Sequence, residues 1–200
     1  MPRLRLTKNG QPICTVGSDD VWMFSASVWA DIWGPESSTL DVSGGSKLRP
    51  DGGHDFLIWA MPHDLAAGDS VEFNFEHGAT SDPKGVIFKT ENPSAPASAK
   101  TGASWPPSEV EMLEWESRVA KNAGLTWTFV LNGAAPICVC PDASRQHVSL
   151  HLLWNEERHD RLRVSLSKSS LRDIGDRTGG EELLLEYAPL SSRIQVVVGA

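Results

Sequence analysis

The chain has 200 residues, of which 40% are hydrophobic and 22% charged, and its formal net charge is −8. This composition excludes a disordered chain, and because no apolar run reaches about 18 residues it excludes a transmembrane helix. The sequence contains no cluster of Lys and Arg, and without concentrated positive charge we expect no nucleic-acid partner. The N-terminus lacks the apolar segment of a signal peptide, so we expect a cytoplasmic protein that does not bind membranes.

The first predicted element is a β-hairpin. Leu4 and Leu6 alternate with polar residues, and Asn9-Gly10 is typical of a type I′ turn, in which both central residues have positive φ. Further strands are predicted near Trp29, at 40–43 and at 71–75, while the apolar run 56–61 fits either a buried strand or a helical turn.

The middle of the chain, residues 79–124, is predicted to be a connector. Residues 85–88 are a candidate extra strand, and residues 92–107 are rich in Pro, Ala and Ser, which is typical of a loop. Ser108 and Glu111 form a capping-box pattern, so we expect a helix over about 108–122.

The last third of the chain repeats the pattern of the first. Asn132-Gly133 predicts a second type I′ hairpin, Val148 to Trp154 alternates as a strand, and Ile194 to Val198 predicts the final strand. The run 183–188 is as ambiguous as 56–61.

These similarities are colinear, which indicates an internal duplication. The corresponding positions include Cys14 with Cys138 and Trp29 with Trp154, at separations between 122 and 127 residues throughout. We therefore predict a mainly β protein with a minor α+β character. Two tandem-duplicated antiparallel modules, 1–78 and 125–200, are expected to pack as a pseudo-twofold unit, with one short helix in the connector 79–124.

Four side chains in the second module are the best metal candidates. Cys138, Cys140, His147 and His151 provide two sulfurs and two imidazoles within a short stretch. The two histidines, however, are separated by about 13 Å along a strand, whereas zinc ligands converge on one ion. We therefore predict no metal and no cofactor, and we expect Cys14 and Cys138 to be small buried hydrophobic residues.

Two tryptophans are the candidate ligand- or partner-binding residues. Trp33 precedes Gly34-Pro35 and Trp105 precedes Pro106-Pro107, so both are predicted in loops, where an aromatic ring is available for contact. Core packing is the competing explanation for tryptophans in general.

No catalytic motif is present, which makes an enzyme the less favoured hypothesis. The first hypothesis is a non-catalytic protein-binding protein of the bacterial cytoplasm, for example a toxin-neutralising immunity-type protein whose acidic surface complements a basic partner. A module that binds a small molecule or carbohydrate is the second hypothesis, and an enzyme with a site in an inter-module cleft is the third. The oligomeric state does not follow from the sequence.

Overall fold

The protein is described by a computed structural model that covers residues 1–30, 38–88, 108–119, 126–141, 144–145 and 147–199. It is mainly β, as predicted. The first half contains β1 (Pro2–Lys8), β2 (Gln11–Gly17), β3 (Val21–Ala30), β4 (Ser38–Ser46), β5 (Phe56–Leu65), β6 (Ser70–His77) and the short β7 (Val86–Ile87). The second half contains β8 (Thr126–Leu131), β9 (Ile137–Val139), β10 (His147–Asn155), β11 (Arg161–Ser169), β12 (Glu181–Pro189) and β13 (Ser192–Gly199).

The strands form two antiparallel sheets, and both halves of the chain contribute to each. Sheet A has the order β2-β1-β6-β13-β8-β9, and sheet B has the order β12-β11-β10-β3-β4-β5-β7. Apart from β7, each sheet therefore has the same order of corresponding strands when it is read outward from its centre. The central junctions are β6–β13 in sheet A and β3–β10 in sheet B. The origin of the two halves by duplication, and the domain boundaries at 78 and 124, stay predictions.

Both predicted type I′ turns are confirmed, and both are tied to a central strand in the same way. Asn9 and Gly10 have φ values of 52° and 74°, and Asn132 and Gly133 have 52° and 70°. The Asn9 side chain accepts a hydrogen bond from the amide of Ser70 at 2.8 Å. The Asn132 side chain accepts one from the amide of Arg193, also at 2.8 Å. An asparagine thus closes each hairpin and also fixes its position against the central strands.

One hydrophobic core lies between the two sheets. The alternating residues of β3, β6, β10 and β13 that face inward are buried, as period-2 patterning requires. Phe24 of β3 and Trp154 of β10 stack with their ring centroids 5.2 Å apart. Because these rings come from different halves, the core does not divide at the junction.

Two α-helices lie among the described residues. The helix predicted in the connector is confirmed as α1 (Glu109–Val119). Its capping box forms as expected: the amide of Glu111 donates to Ser108 Oγ at 3.3 Å, and the amide of Ser108 donates to Glu111 Oε2 at 2.8 Å. The predicted helical residues 120–122 lie outside the described residues. The sequence patterns do not predict the short α2 (Leu171–Asp176), which has its own capping box. None of the described helices has the length and apolarity needed to span a bilayer.

Strand pairing shows which secondary structure the two ambiguous apolar runs adopt. The run 56–61 lies in β5 and the run 183–188 lies in β12, so both are strands. Residues 86–87 pair with β5 as the predicted extra strand.

Two predicted correspondences between the halves are wrong. Cys14 is buried, whereas Cys138 is exposed, because one more residue separates the Asn-Gly turn from the cysteine in the second hairpin than in the first. Cys14 pairs with the buried Leu6, but Cys138 pairs with a threonine on the outer face of sheet A.

The predicted correspondence of Trp29 with Trp154 is wrong for a similar reason. Trp154 is buried on the inner face of sheet B, whereas Trp29 is only partly buried on the outer face. A shift of one residue moves a side chain to the opposite face of a strand.

Candidate functional site

The predicted binding residues Trp33 and Trp105 both lie outside the described residues. Their role in ligand or partner contact therefore stays a prediction.

The structure does not bring the four metal candidates together. Cys138 lies on β9 at the edge of sheet A. Cys140 is the first residue after β9, and its sulfur lies 3.4 Å from Thr126 Oγ1. His147 and His151 lie on β10 in sheet B. Within the described ranges, no group of three or more His, Cys, Asp or Glu side chains is arranged to hold a metal ion.

A polar row crosses the outer face of sheet B. His151 pairs with Ser27 on β3, and Ser27 pairs with Asp41 on β4. Burial lowers the pKa of His151, and the charge of Arg163 lowers it further. Burial raises the pKa of Asp41, although a hydrogen bond from the backbone of Ser27 opposes this effect.

This row has the residue types of a catalytic triad but not its order. In a triad the carboxylate orients the histidine, and the histidine contacts the serine. Here Ser27 lies between His151 and Asp41, which are two strand spacings, or about 9.6 Å, apart. Asp41 is therefore too far away to orient the imidazole.

A more distinctive feature is an exposed group of aromatic residues at the β5 end of sheet B. We define the aromatic patch as Trp22, His54, Phe56 and Phe88. Its three apolar rings belong to side chains that are 37%, 52% and 49% exposed, respectively. Large aromatic side chains are usually buried, so their clustering on the surface is informative.

A β-bulge presents Trp22 to solvent. Val21 pairs with Ser46 and Met23 pairs with Gly45, which leaves Trp22 as the extra residue of β3. Val21 and Phe24 are both buried, so the alternation of the strand is interrupted between them. Bulges of this kind redirect a side chain away from the regular pattern.

Gly45 allows the indole to lie close to the sheet. A Cβ atom at this position would lie 2.3 Å from Trp22 Nε1 and 3.0 Å from Cε2, well inside contact distance. The glycine therefore provides a flat surface for the ring on β4. The His54 ring also lies beside Trp22, with the ring centroids 5.6 Å apart, and its Nδ1 lies 2.7 Å from Ser46 O.

The patch continues across β5 to the end of β7. Phe56 pairs with Gly45, and the amide of Phe88 donates to Phe56 O at 2.8 Å. The two phenylalanine rings meet edge to face with centroids 6.1 Å apart. Val86, which is 70% exposed, adds apolar surface on β7. The aromatic patch thus extends from β3 past β4 and β5 to the residue that follows β7.

A rim of paired charges lies beside the aromatic patch. Arg49 Nε lies 3.1 Å from Asp51 Oδ1, and Arg49 NH1 lies 2.5 Å from Asp55 Oδ1. The backbone amide of Gly53, followed by Arg49, lowers the pKa of Asp51. An apolar centre with a polar rim is the usual anatomy of a protein interface.

Comparisons with protein-family models, with curated proteins and with solved structures find no match for this chain. The site is therefore interpreted from its geometry alone.

Sequence patterns single out none of the four residues of the aromatic patch, and only Trp22 has a signal that could have indicated it. The available signal is the spacing of Val21 and Phe24, two inward-facing residues separated by two positions instead of one. That spacing indicates a bulge only when the register of the neighbouring strand is known, because an isolated break in alternation also occurs at strand ends.

Proposed function

We propose that this chain is a non-catalytic protein-binding protein whose aromatic patch anchors the partner. The observation that carries the proposal is the presentation of Trp22 by a β-bulge over Gly45, beside two further exposed aromatic rings. Trp is among the residues most enriched at interface hot spots. A tryptophan held in one position loses little conformational freedom on binding, which favours affinity.

The charge of the chain supports a basic partner. The formal net charge is −8, and long-range attraction to a partner of opposite charge accelerates association. The ion pairs of Arg49 reduce the positive charge beside the aromatic patch. A toxin-neutralising immunity-type protein is one form of this proposal, in which the aromatic patch covers a basic toxin surface.

The proposal is tested with the full chain and an identified partner. Proteins retained from a native lysate are identified by mass spectrometry, purified and titrated against wild type and Trp22→Ala. We expect Trp22→Ala to raise the Kd of the true partner by about 30-fold or more, as hot-spot truncations do. Because most of the Trp22 side chain is buried against the sheet, the variant should lose some stability, and urea unfolding is used to confirm that it is fully folded under the titration conditions.

Leu113→Ala provides the matched control. Leu113 is a 54% exposed apolar residue on α1, outside the aromatic patch, and its truncation should leave the Kd unchanged. A partner that binds Trp22→Ala as tightly as wild type, or that loses equal affinity with both variants, would show that the aromatic patch is not the interface.

The two alternative functions stay predictions. Carbohydrate binding was expected at Trp33 and Trp105, and a titration of intrinsic fluorescence with a panel of sugars tests it. The enzyme hypothesis placed a site in a cleft between modules. Among the described residues the halves meet by strand pairing at β3–β10 and β6–β13.

A further inference from the structure

A cavity of about 220 Å³ lies on the outer face of sheet B, over strands β10 to β12, and β10 pairs with β3. Its floor is the outer face of β10, β11 and β12, where Arg163 pairs with Leu153 on one side and with Tyr187 on the other. Arg161 lies two residues before Arg163 and therefore faces the same way. The short helical turn 156–158 forms a wall and contributes Arg158.

The turn 156–158 and Tyr187 hold the Arg158 guanidinium in place. Asn155 Oδ1 accepts a hydrogen bond from the amide of Arg158 at 3.1 Å, which caps the turn. The Arg158 guanidinium lies over the Tyr187 ring, with Cζ 5.2 Å from the ring centroid. This cation–π contact holds the guanidinium beside the cavity without neutralising its charge.

The arginines of the cavity differ from other arginines of the described chain in their partners. In the described residues neither Arg158 nor Arg163 has a carboxylate oxygen within ion-pair distance. Arg161 has only Asp160, at 3.7 Å, in a pair whose side chains are 59% and 61% exposed. By contrast, closer carboxylate contacts are made by Arg3, Arg5, Arg49, Arg145, Arg172 and Arg193.

The lining has an excess of positive charge in an acidic chain. Three guanidinium groups and one carboxylate, that of Glu157, line the cavity, and even with Asp160 beside Arg161 the local charge is positive while the whole chain carries −8. Like charges that line one cavity repel one another. A bound anion would offset this repulsion.

We propose that this cavity binds the phosphate dianion of a small molecule. Arginine forks match phosphate oxygens in pairs of parallel hydrogen bonds, and the three arginines provide many such donors. The cavity is smaller than the ~300–1,000 Å³ typical of sites for drug-sized ligands, which fits a phosphate with a small attached group. The cavity and the aromatic patch have no lining residue in common, so substitutions test the two proposals separately.

The test uses the full chain and three probes at low ionic strength: phenyl phosphate, inorganic phosphate and benzoate. Isothermal titration calorimetry should show saturable binding of phenyl phosphate at one site. Arg163→Gln should weaken it by about tenfold or more, because a charge-assisted hydrogen-bond donor is lost. Arg5→Gln makes the same change of charge at an exposed arginine far from the cavity, and should change the affinity by less than about twofold.

The probes also distinguish the source of the phosphate. Tighter binding of phenyl phosphate than of inorganic phosphate assigns the cavity to a monoester, and equal affinity assigns it to free phosphate. Benzoate that binds as tightly as phenyl phosphate overturns the phosphate assignment. Absence of saturable binding by any probe, or an equal loss with Arg5→Gln, overturns the site. Near-UV circular dichroism of Arg163→Gln confirms that the variant is folded.

Discussion

Phe73→Ala will destabilise both halves of the sandwich in a single transition. Phe73 is fully buried on β6, where it pairs with Leu6 on one side and with Ile194 of the other half on the other. Removing a buried phenylalanine side chain costs about 3–5 kcal/mol through lost burial and the cavity left behind. With a urea m-value of about 2–3 kcal/mol/M, the unfolding midpoint should fall by roughly 1.5 M.

Two probes decide whether the halves unfold together. Urea titrations followed by tryptophan fluorescence report the whole chain, and hydrogen exchange with mass spectrometry reports each half separately. We expect one midpoint for both halves in wild type and one lower midpoint for both in Phe73→Ala. Phe56→Ala is the control, since this phenylalanine is 52% exposed and its truncation should change the free energy of unfolding by about 0.5 kcal/mol or less. An unchanged midpoint for β8–β13 in Phe73→Ala would refute the shared core.

Three further predictions follow from single residues. Gly45→Ala should displace the Trp22 indole, shifting its fluorescence and weakening partner binding, while lowering stability by about 1 kcal/mol or less because the clash is with a side chain that can move. The amide of Ala66, followed by the Asn9 side chain, lowers the pKa of Asp69 from 3.8 to about 2. This carboxylate therefore stabilises the fold fully above about pH 4 and loses its effect as the pH falls toward 2, so Asp69→Asn should flatten the Tm profile over that range. Burial raises the pKa of Cys14 to about 12, so a thiol reagent at pH 8 should label only the two exposed cysteines of the folded chain and all three in urea.

Local signals in the sequence predict the turns and one helix well. The Asn-Gly pairs specify type I′ turns because few other residues tolerate positive φ at both positions. The Ser108 capping box marks the start of α1 for an equally local reason. The short helix α2 leaves no periodic signal in six residues, although Ser170 and Asp173 form the same kind of box.

Signals that depend on pairing are not readable from the sequence. The apolar runs in β5 and β12 become strands because a neighbouring strand is available, and their own periodicity does not decide this. The wrong correspondence of Cys14 with Cys138 has a different origin: one extra residue after the second Asn-Gly pair, visible in the sequence, puts Ile137 in the position that Cys14 occupies. A bulge changes which face a residue occupies without changing the residue types around it.

The candidate site follows from the sequence only in part. An exposed tryptophan was expected, but the described structure exposes Trp22, and the bulge that exposes it depends on the register of β4. The cationic cavity has a partial signal, because Arg161 and Arg163 alternate along a strand and so share a face. Tyr187 joins them only through the pairing of β12 with β11, and Arg158 only through the turn 156–158 that precedes β11.

The central pairings β6–β13 and β3–β10 determine what happens when the chain is cut into two fragments. A fragment ending after β7 would leave one edge of β6 and one edge of β3 unpaired, and a fragment beginning at β8 would do the same to β13 and β10. Unpaired strand edges form hydrogen bonds with other strands, and the complementary fragment provides the matching edges. We therefore expect the two fragments to reassemble on mixing, with an affinity limited by concentration. The intact polypeptide avoids this limit, because its tether holds the two pieces at a high effective concentration.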